Sequence, residues 1–258
     1  MPQIAHLGRS PSVAVFAYHA IAELPDHWGL QPFSLPPADF AAHLDALTRT
    51  GHRFIDIGTL LAGLDGSVAL PKRSVLISFD DCYDDLRTVA APLLAARGIP
   101  AVAFAVAGRF GGTNDWDTAP SDQRLRLLDA DGLQEVRRLG IELGAHSLTH
   151  PALTELGESE LNAEIAGCLD AFKAAGLDPP RAFAYPYGRQ NAAVVTAVRE
   201  AGFLAAFTTR AGLVTRDSDR YRLPRIEIHR VDTGLRFRLR LAARRAPASL
   251  RRILDVAR

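Results

Sequence analysis

Short apolar runs alternate along the chain with longer stretches in which apolar residues recur every third or fourth position. Runs of the first kind, bounded by Gly, Pro or charged residues, read as buried strands. The second kind reads as helices packed by one face. Strands are predicted over 13–17, 54–57, 75–79, 101–107, 141–143, 183–185, 203–208 and 221–228. A helix opens at Pro36-Pro37-Ala38-Asp39, carries Phe40, Leu44 and Leu47 on one face and closes at Gly51. Others are predicted over 84–97, with Leu86, Ala90, Leu93 and Leu94 facing inward, and over 130–139, 159–175 and 191–201. Strand–helix alternation argues for the α/β class, a parallel sheet with helical crossovers. About seven strands suggest an irregular (β/α)7 barrel. Neither an internal repeat nor a long linker interrupts 1–258, so one domain is expected.

Composition narrows this picture only modestly. The 258 residues are 48% apolar and 23% charged, an ordinary globular balance sufficient for one buried core. A net charge of +1 provides no global field to recruit nucleic acid or membrane. Cys82 and Cys168 form no spacing pattern, so a disulfide framework is not expected. The start Met1-Pro2-Gln3-Ile4-Ala5-His6 lacks the basic-then-apolar pattern of a signal peptide, and no apolar run approaches a membrane span. Cytoplasmic residence is the expectation. The tail is different: Arg236, Arg238, Arg240, Arg244, Arg245, Arg251 and Arg252 lie among leucines. It reads as a basic C-terminal helix over about 232–258, packed on the barrel or touching anionic lipid or a lipid-linked phosphate.

Candidate chemistry sits where strands stop. The run Val75-Leu76-Ile77-Ser78-Phe79 ends on Asp80-Asp81, and adjacent carboxylates at a strand end require a compensating cation or proton. After the strand 141–143 comes Gly144-Ala145-His146-Ser147-Leu148-Thr149-His150-Pro151. A spacing of four places His146 and His150 on one face of a helical turn, close enough to share an ion. With one Asp they form the ligand set of an open catalytic zinc site or of a related divalent metal. A third strand ends in Tyr185-Pro186-Tyr187-Gly188, a turn with a fixed backbone. The segment 108–122, polar and containing Trp116, suggests a functional loop at the barrel rim.

Together, SFDD at 78–81, HSLTH at 146–150 and FAYPYG at 183–188 resemble the first three motifs of the polysaccharide deacetylases, the NodB-homology group or carbohydrate esterase family 4. The likeness covers about 13–230. The opening Val13-Ala14-Val15-Phe16-Ala17-Tyr18-His19 resembles the exopolysaccharide deacetylases, such as those acting on poly-N-acetylglucosamine. The resemblance implies the (β/α)7 barrel and a hydrolase that removes acetyl groups, from nitrogen rather than oxygen in the first instance. The acetylated sugar would belong to a polysaccharide or to its lipid- or nucleotide-linked precursor. It implies Asp81, His146 and His150 as ligands of a divalent metal, Zn2+ first and Co2+, Ni2+ or Mn2+ as alternatives. Asp80 becomes the general base, and the backbone N–H of Tyr187 an oxyanion donor. The proton donor falls to His19, with His229 as the alternative.

Departures from the family pattern carry their own expectations. Ala184 stands where the third motif usually has an Arg that steadies the base, so Arg225 is expected to supply that guanidinium, with Arg181 as the alternative. Cys82 replaces the usual Gly after Asp-Asp. Trp116 and Tyr185 are candidates to stack on a sugar face. Two rival functions remain: a carbohydrate-binding protein that has lost catalysis, and a metal-dependent amidase acting on a non-sugar compound.

Overall fold

A computed structural model describes residues 11–116 and 124–243. Seven parallel strands close on themselves: β1 (Ser12–Tyr18), β3 (Ser74–Asp81), β4 (Ala101–Ala105), β5 (Ile141–Ala145), β6 (Ala182–Ala184), β7 (Ala205–Ala211) and β9 (Leu223–Glu227), which returns to β1. Two short strands sit outside this ring. The first, β2 (Arg53–Phe54), pairs with the start of β3, and β8 (Val214–Thr215) runs antiparallel to β1. Helices α1 (Pro37–Arg49), α2 (Ile57–Asp65), α3 (Ala91–Ala95), α4 (Ala130–Arg138), α5 (Glu158–Ala174) and α6 (Ala192–Glu200) connect the strands, and α7 (Gly234–Ala243) follows β9. The (β/α)7 expectation holds.

Strand alternation splits the core in two. Val13, Val15, Leu76, Val102, Phe104, Phe207 and Leu223 form one buried cluster inside the ring. Phe16, Val75, Ile77, Phe79, Ala101 and Ala103 face outward, against Phe40, Leu44 and Leu47 of α1 and the apolar faces of α4 to α6. A side-chain period of two therefore puts Leu76, Ser78 and Asp80 on the interior face of β3. The same rule aims Leu223 and Arg225 of β9 into the barrel. Gly144 of β5 makes room there, because a Cβ at that position would collide with the Phe104 ring.

Several boundaries differ from expectation. The strand predicted over 54–57 stops at Phe54, and Asp56 instead caps α2, accepting a hydrogen bond from Thr59 N at 2.7 Å. The helix predicted over 84–97 is broken into a wide π turn at Leu86–Ala90 and the short α3. The strand predicted over 203–208 is displaced to β7, 221–228 shortens to β9, and β8 was not anticipated. In the tail, α7 lays a buried Phe237 flat on His43 of α1, with ring centroids 3.6 Å apart, while Arg236 and Arg238 are exposed. The rest of the predicted basic helix, 244–258, lies outside the described residues. No described helix is long and apolar enough to cross a membrane.

Candidate active site

The C-terminal ends of β1, β3, β5 and β9 converge on one point. Asp80 continues the inward row of β3 and meets Arg225 inside the barrel mouth. Both guanidinium Nη atoms donate to the carboxylate, each at 2.7 Å, and Arg225 Nε donates to the Thr208 carbonyl at 3.0 Å. Arg225 is fully buried, 0% exposed, and its guanidinium lies 5.6 Å from the Phe104 ring centre. Arg181, the alternative partner, is elsewhere, exposed and paired with Glu142. Burial pushes the Asp80 carboxyl up, but the charges of Arg225 and His146 and the Arg225 hydrogen bonds outweigh it. They hold Asp80 well below the usual carboxylate range.

At Asp81 the strand turns sharply. Asp81 (φ 70°) and Cys82 (φ 60°) are both left-handed, and Cys82 N donates to the Asp80 carbonyl at 2.9 Å. Such backbone costs on the order of 1 kcal/mol or more for a residue with a Cβ, which gives a physical reason for glycine to be usual at position 82. The turn swings Asp81 away from Asp80. Its Oδ1 lies 3.7 Å from His146 Nε2 and 3.6 Å from His150 Nε2, while Oδ2 accepts the Tyr83 hydroxyl at 2.9 Å.

The two histidines come together in a way the spacing did not foretell. Residues 146–150 form no helical turn. The loop instead uses left-handed backbone at Ser147 (φ 64°) and His150 (φ 69°), and His150 N donates to Ser147 Oγ at 3.0 Å. Glu164 of α5 grips the loop from outside. Its carboxylate accepts Leu148 N at 3.0 Å, Thr149 N at 2.9 Å and the Thr149 hydroxyl at 2.5 Å. The imidazoles end up edge to face, 4.8 Å between centroids. His146 Nδ1 donates to the Ala184 carbonyl at 2.7 Å, which turns Nε2 toward Asp81.

These residues fit a divalent cation. One ligand atom from each of Asp81, His146 and His150 lies within 4.8 Å of the others. Donors about 2.1 Å from a common tetrahedral centre stand about 3.4 Å apart, close to the 3.6 and 3.7 Å separations here. Burial, reinforced by His146, lowers His150 to about 2, so its imidazole is neutral and able to ligate. Burial also raises the Cys82 thiol, which favours its inert, protonated form.

The remaining candidates divide. His19 Nε2 lies 3.9 Å from Asp80 Oδ2, and the ring leans on Phe33 at 5.2 Å. Burial lowers His19 to about 4, against the opposing pull of Asp80. His229 packs on Phe33 as well, with ring centroids 5.2 Å apart. Trp116 stacks on His150 at 4.6 Å. Tyr187 is left-handed (φ 57°), 41% exposed, and sets its ring edge-on to His150 at 4.8 Å. Tyr185 does not reach the site. It is 0% exposed, packs on Phe183 and donates its hydroxyl to the Tyr221 carbonyl at 2.9 Å, so it offers no sugar-stacking face. Tyr83 and Glu164 were missed by sequence reasoning. Tyr83 follows the Asp pair by two positions and could have been weighed, whereas nothing local marks Glu164.

The structure thus defines a closed seven-stranded α/β barrel that carries at its mouth a carboxylate–dihistidine cluster and a second, arginine-bound carboxylate. A family model described as polysaccharide deacetylase matches residues 67–206, and the chain belongs to that family. The poly-beta-1,6-N-acetyl-D-glucosamine N-deacetylase of Staphylococcus epidermidis is 27% identical over 206 residues, 76% of this chain and 68% of its own length. Among solved structures, IcaB from Ammonifex degensii superposes with a TM-score of 0.75 at 24% identity, covering 89% of this chain and 97% of that one. The Streptococcus pyogenes deacetylase PplD, in complex with acetate, also reaches 0.75, at 20% identity and with 88% and 97% coverage. The chain spans 65%, 68% and 55% of the lengths of the first three curated relatives it matches.

Proposed function

We infer that this protein is a metal-dependent hydrolase that removes the acetyl group from an N-acetylated sugar of a polysaccharide or its precursor. The observation that carries the reading is the pairing of two differently treated carboxylates. Asp81 faces two imidazoles, while Asp80, one residue away, is locked to Arg225 and excluded from that cluster. A divalent cation at Asp81, His146 and His150, with Zn2+ suited to the donor set, would polarise the acyl oxygen and acidify a water.

The chain's own residues supply the rest. Asp80, kept ionised by Arg225, takes the proton of the attacking water. The N–H of Tyr187, whose ring lies beside His150, would donate to the oxyanion that develops on the acyl carbonyl. The leaving amine needs a proton. Lowered to about 4, His19 is neutral at the outset and has none to give. Its 3.9 Å approach to Asp80 suggests the source: the proton taken from water passes from Asp80 to His19 and on to the amine as the C–N bond breaks. Acetate and a free amino sugar leave, and both residues return to their starting states. Trp116, and Tyr187 by its ring, flank the sugar.

The test is acetate release from a panel of N- and O-acetylated sugar oligomers alongside elemental analysis. Acetate from an N-acetylated sugar by a protein carrying about one metal per chain supports the reading, as does an Asp80→Asn variant that keeps metal and loses acetate release. Bound metal without acetate release from any acetylated sugar would transfer the site to a non-sugar amide. Neither metal nor activity would make the barrel a binding protein.

A further inference from the structure

Asp81 is held by both oxygens, in unlike ways. Both histidine approaches run to the same atom, Oδ1, at 3.7 Å and 3.6 Å. The other oxygen, Oδ2, is taken by the Tyr83 hydroxyl at 2.9 Å. Tyr83 itself has little freedom. It is 2% exposed, packs with Ala20, Leu24 and Leu127, and forms an isolated antiparallel bridge with Leu127. Asp81 is equally constrained, at 4% exposure on left-handed backbone. A carboxylate can bind a cation through one oxygen or chelate it through two, and chelation uses up a coordination position that water or an acyl oxygen would otherwise take. A hydrogen bond from a fixed, buried phenol to one oxygen decides between the two modes.

We propose that Tyr83 is a positioning residue that makes Asp81 bind the divalent cation through Oδ1 alone, keeping a coordination position open for substrate. The inference rests on the reading of Asp81, His146 and His150 as a metal site. It assigns Tyr83 no contact with substrate and no proton transfer. Its effect is on how many donors the protein contributes, and so on coordination number.

The probe is Co2+, whose visible d–d absorption weakens as coordination number rises. Metal-stripped wild-type protein is titrated with Co2+, followed by Tyr83→Phe, which deletes only the hydroxyl, and Tyr83→Met, a second hydroxyl-free variant should the first misfold by circular dichroism. Leu127→Ala, which loosens the packing around the ring and keeps the hydroxyl, is the control. Once Asp81 can chelate, the d–d absorption per bound Co2+ should fall in the hydroxyl-free variants and hold in Leu127→Ala. With the carboxylate no longer held in place, Co2+ affinity measured against a chromogenic chelator should drop about tenfold or more. A hydroxyl-free variant that folds and keeps the wild-type spectrum overturns the proposal. Wild-type protein that binds no Co2+ instead removes the metal reading beneath it, which separates the two failures.

Discussion

Replacing Arg225 with methionine is the most informative single change, because it removes a buried charge and little volume. Arg225 is 0% exposed and Asp80 is 3% exposed, and two 2.7 Å bonds join them. Breaking such a pair from one side leaves an uncompensated buried charge, at a cost of about 3–5 kcal/mol. A buried amide left short of partners costs less, about 1–3 kcal/mol. The double variant Asp80→Asn/Arg225→Met should therefore recover about 2 kcal/mol of what Arg225→Met loses. The pH dependence has a definite sign. In the wild type the Asp80 pKa is depressed, so the pair's stability is present above the ordinary carboxylate range and lost as pH falls through the lower folded value. Without Arg225, burial dominates and raises that pKa, so the deficit of Arg225→Met should shrink as the medium is acidified. Urea denaturation of the metal-free proteins at neutral and mildly acidic pH measures both effects. Acetate release should fall at least about a hundredfold with bound metal unchanged, since the base is no longer held ionised and in place. Wild-type turnover in Arg225→Met, or strictly additive losses in the double variant, would refute the pairing as the basis of function.

Glu164→Ala should weaken metal binding about tenfold or more, read by competition with a chelator, because it frees Leu148 N, Thr149 N and the Thr149 hydroxyl of the histidine loop. Glu164→Gln keeps a carbonyl acceptor and should restore most of the affinity. Burial holds His19 at about 4, so its imidazole charges in the unfolded chain before it does in the folded one. Folding stability is then lost as pH drops from about 6.5 toward 4, by up to about 3 kcal/mol. A His19→Gln variant should lack that share of the pH slope in calorimetry of the metal-free protein. Trp116→Ala should raise KM for an N-acetylated oligosaccharide, whereas Tyr185→Phe, which loses only a bond to the Tyr221 carbonyl, should leave KM unchanged and lower Tm.

What the sequence made legible follows from how far each interaction reaches along the chain. An apolar run that stops on Asp80-Asp81 announces a strand delivering carboxylates to a barrel mouth, and a period of two then places Asp80 inside with Leu76 and Ser78. The same period on β9 aims Arg225 inward, so another strand end supplies the missing guanidinium, through two 2.7 Å contacts with Asp80. Failures occur where conformation is imposed from a distance. The His146–His150 spacing suggested a helical turn, but the loop's shape depends on Ser147 and His150 being left-handed and on Glu164, 15 and 16 residues further along, which no periodicity encodes. Glycines at 58 and 63 hid α2 by lowering its helix propensity. One of them, Gly63, is needed because a Cβ there would strike Leu70. Tyr185 and Tyr187 look alike in FAYPYG, yet one extends the outward row of Phe183 into the core and the other lies beyond Pro186 at the rim. A motif thus gives the residues that touch the reacting atoms more readily than those that hold them still. Tyr83 and Glu164 belong to the second group: one bonds to Asp81 Oδ2 and the other to the backbone of Leu148 and Thr149 between the two imidazoles.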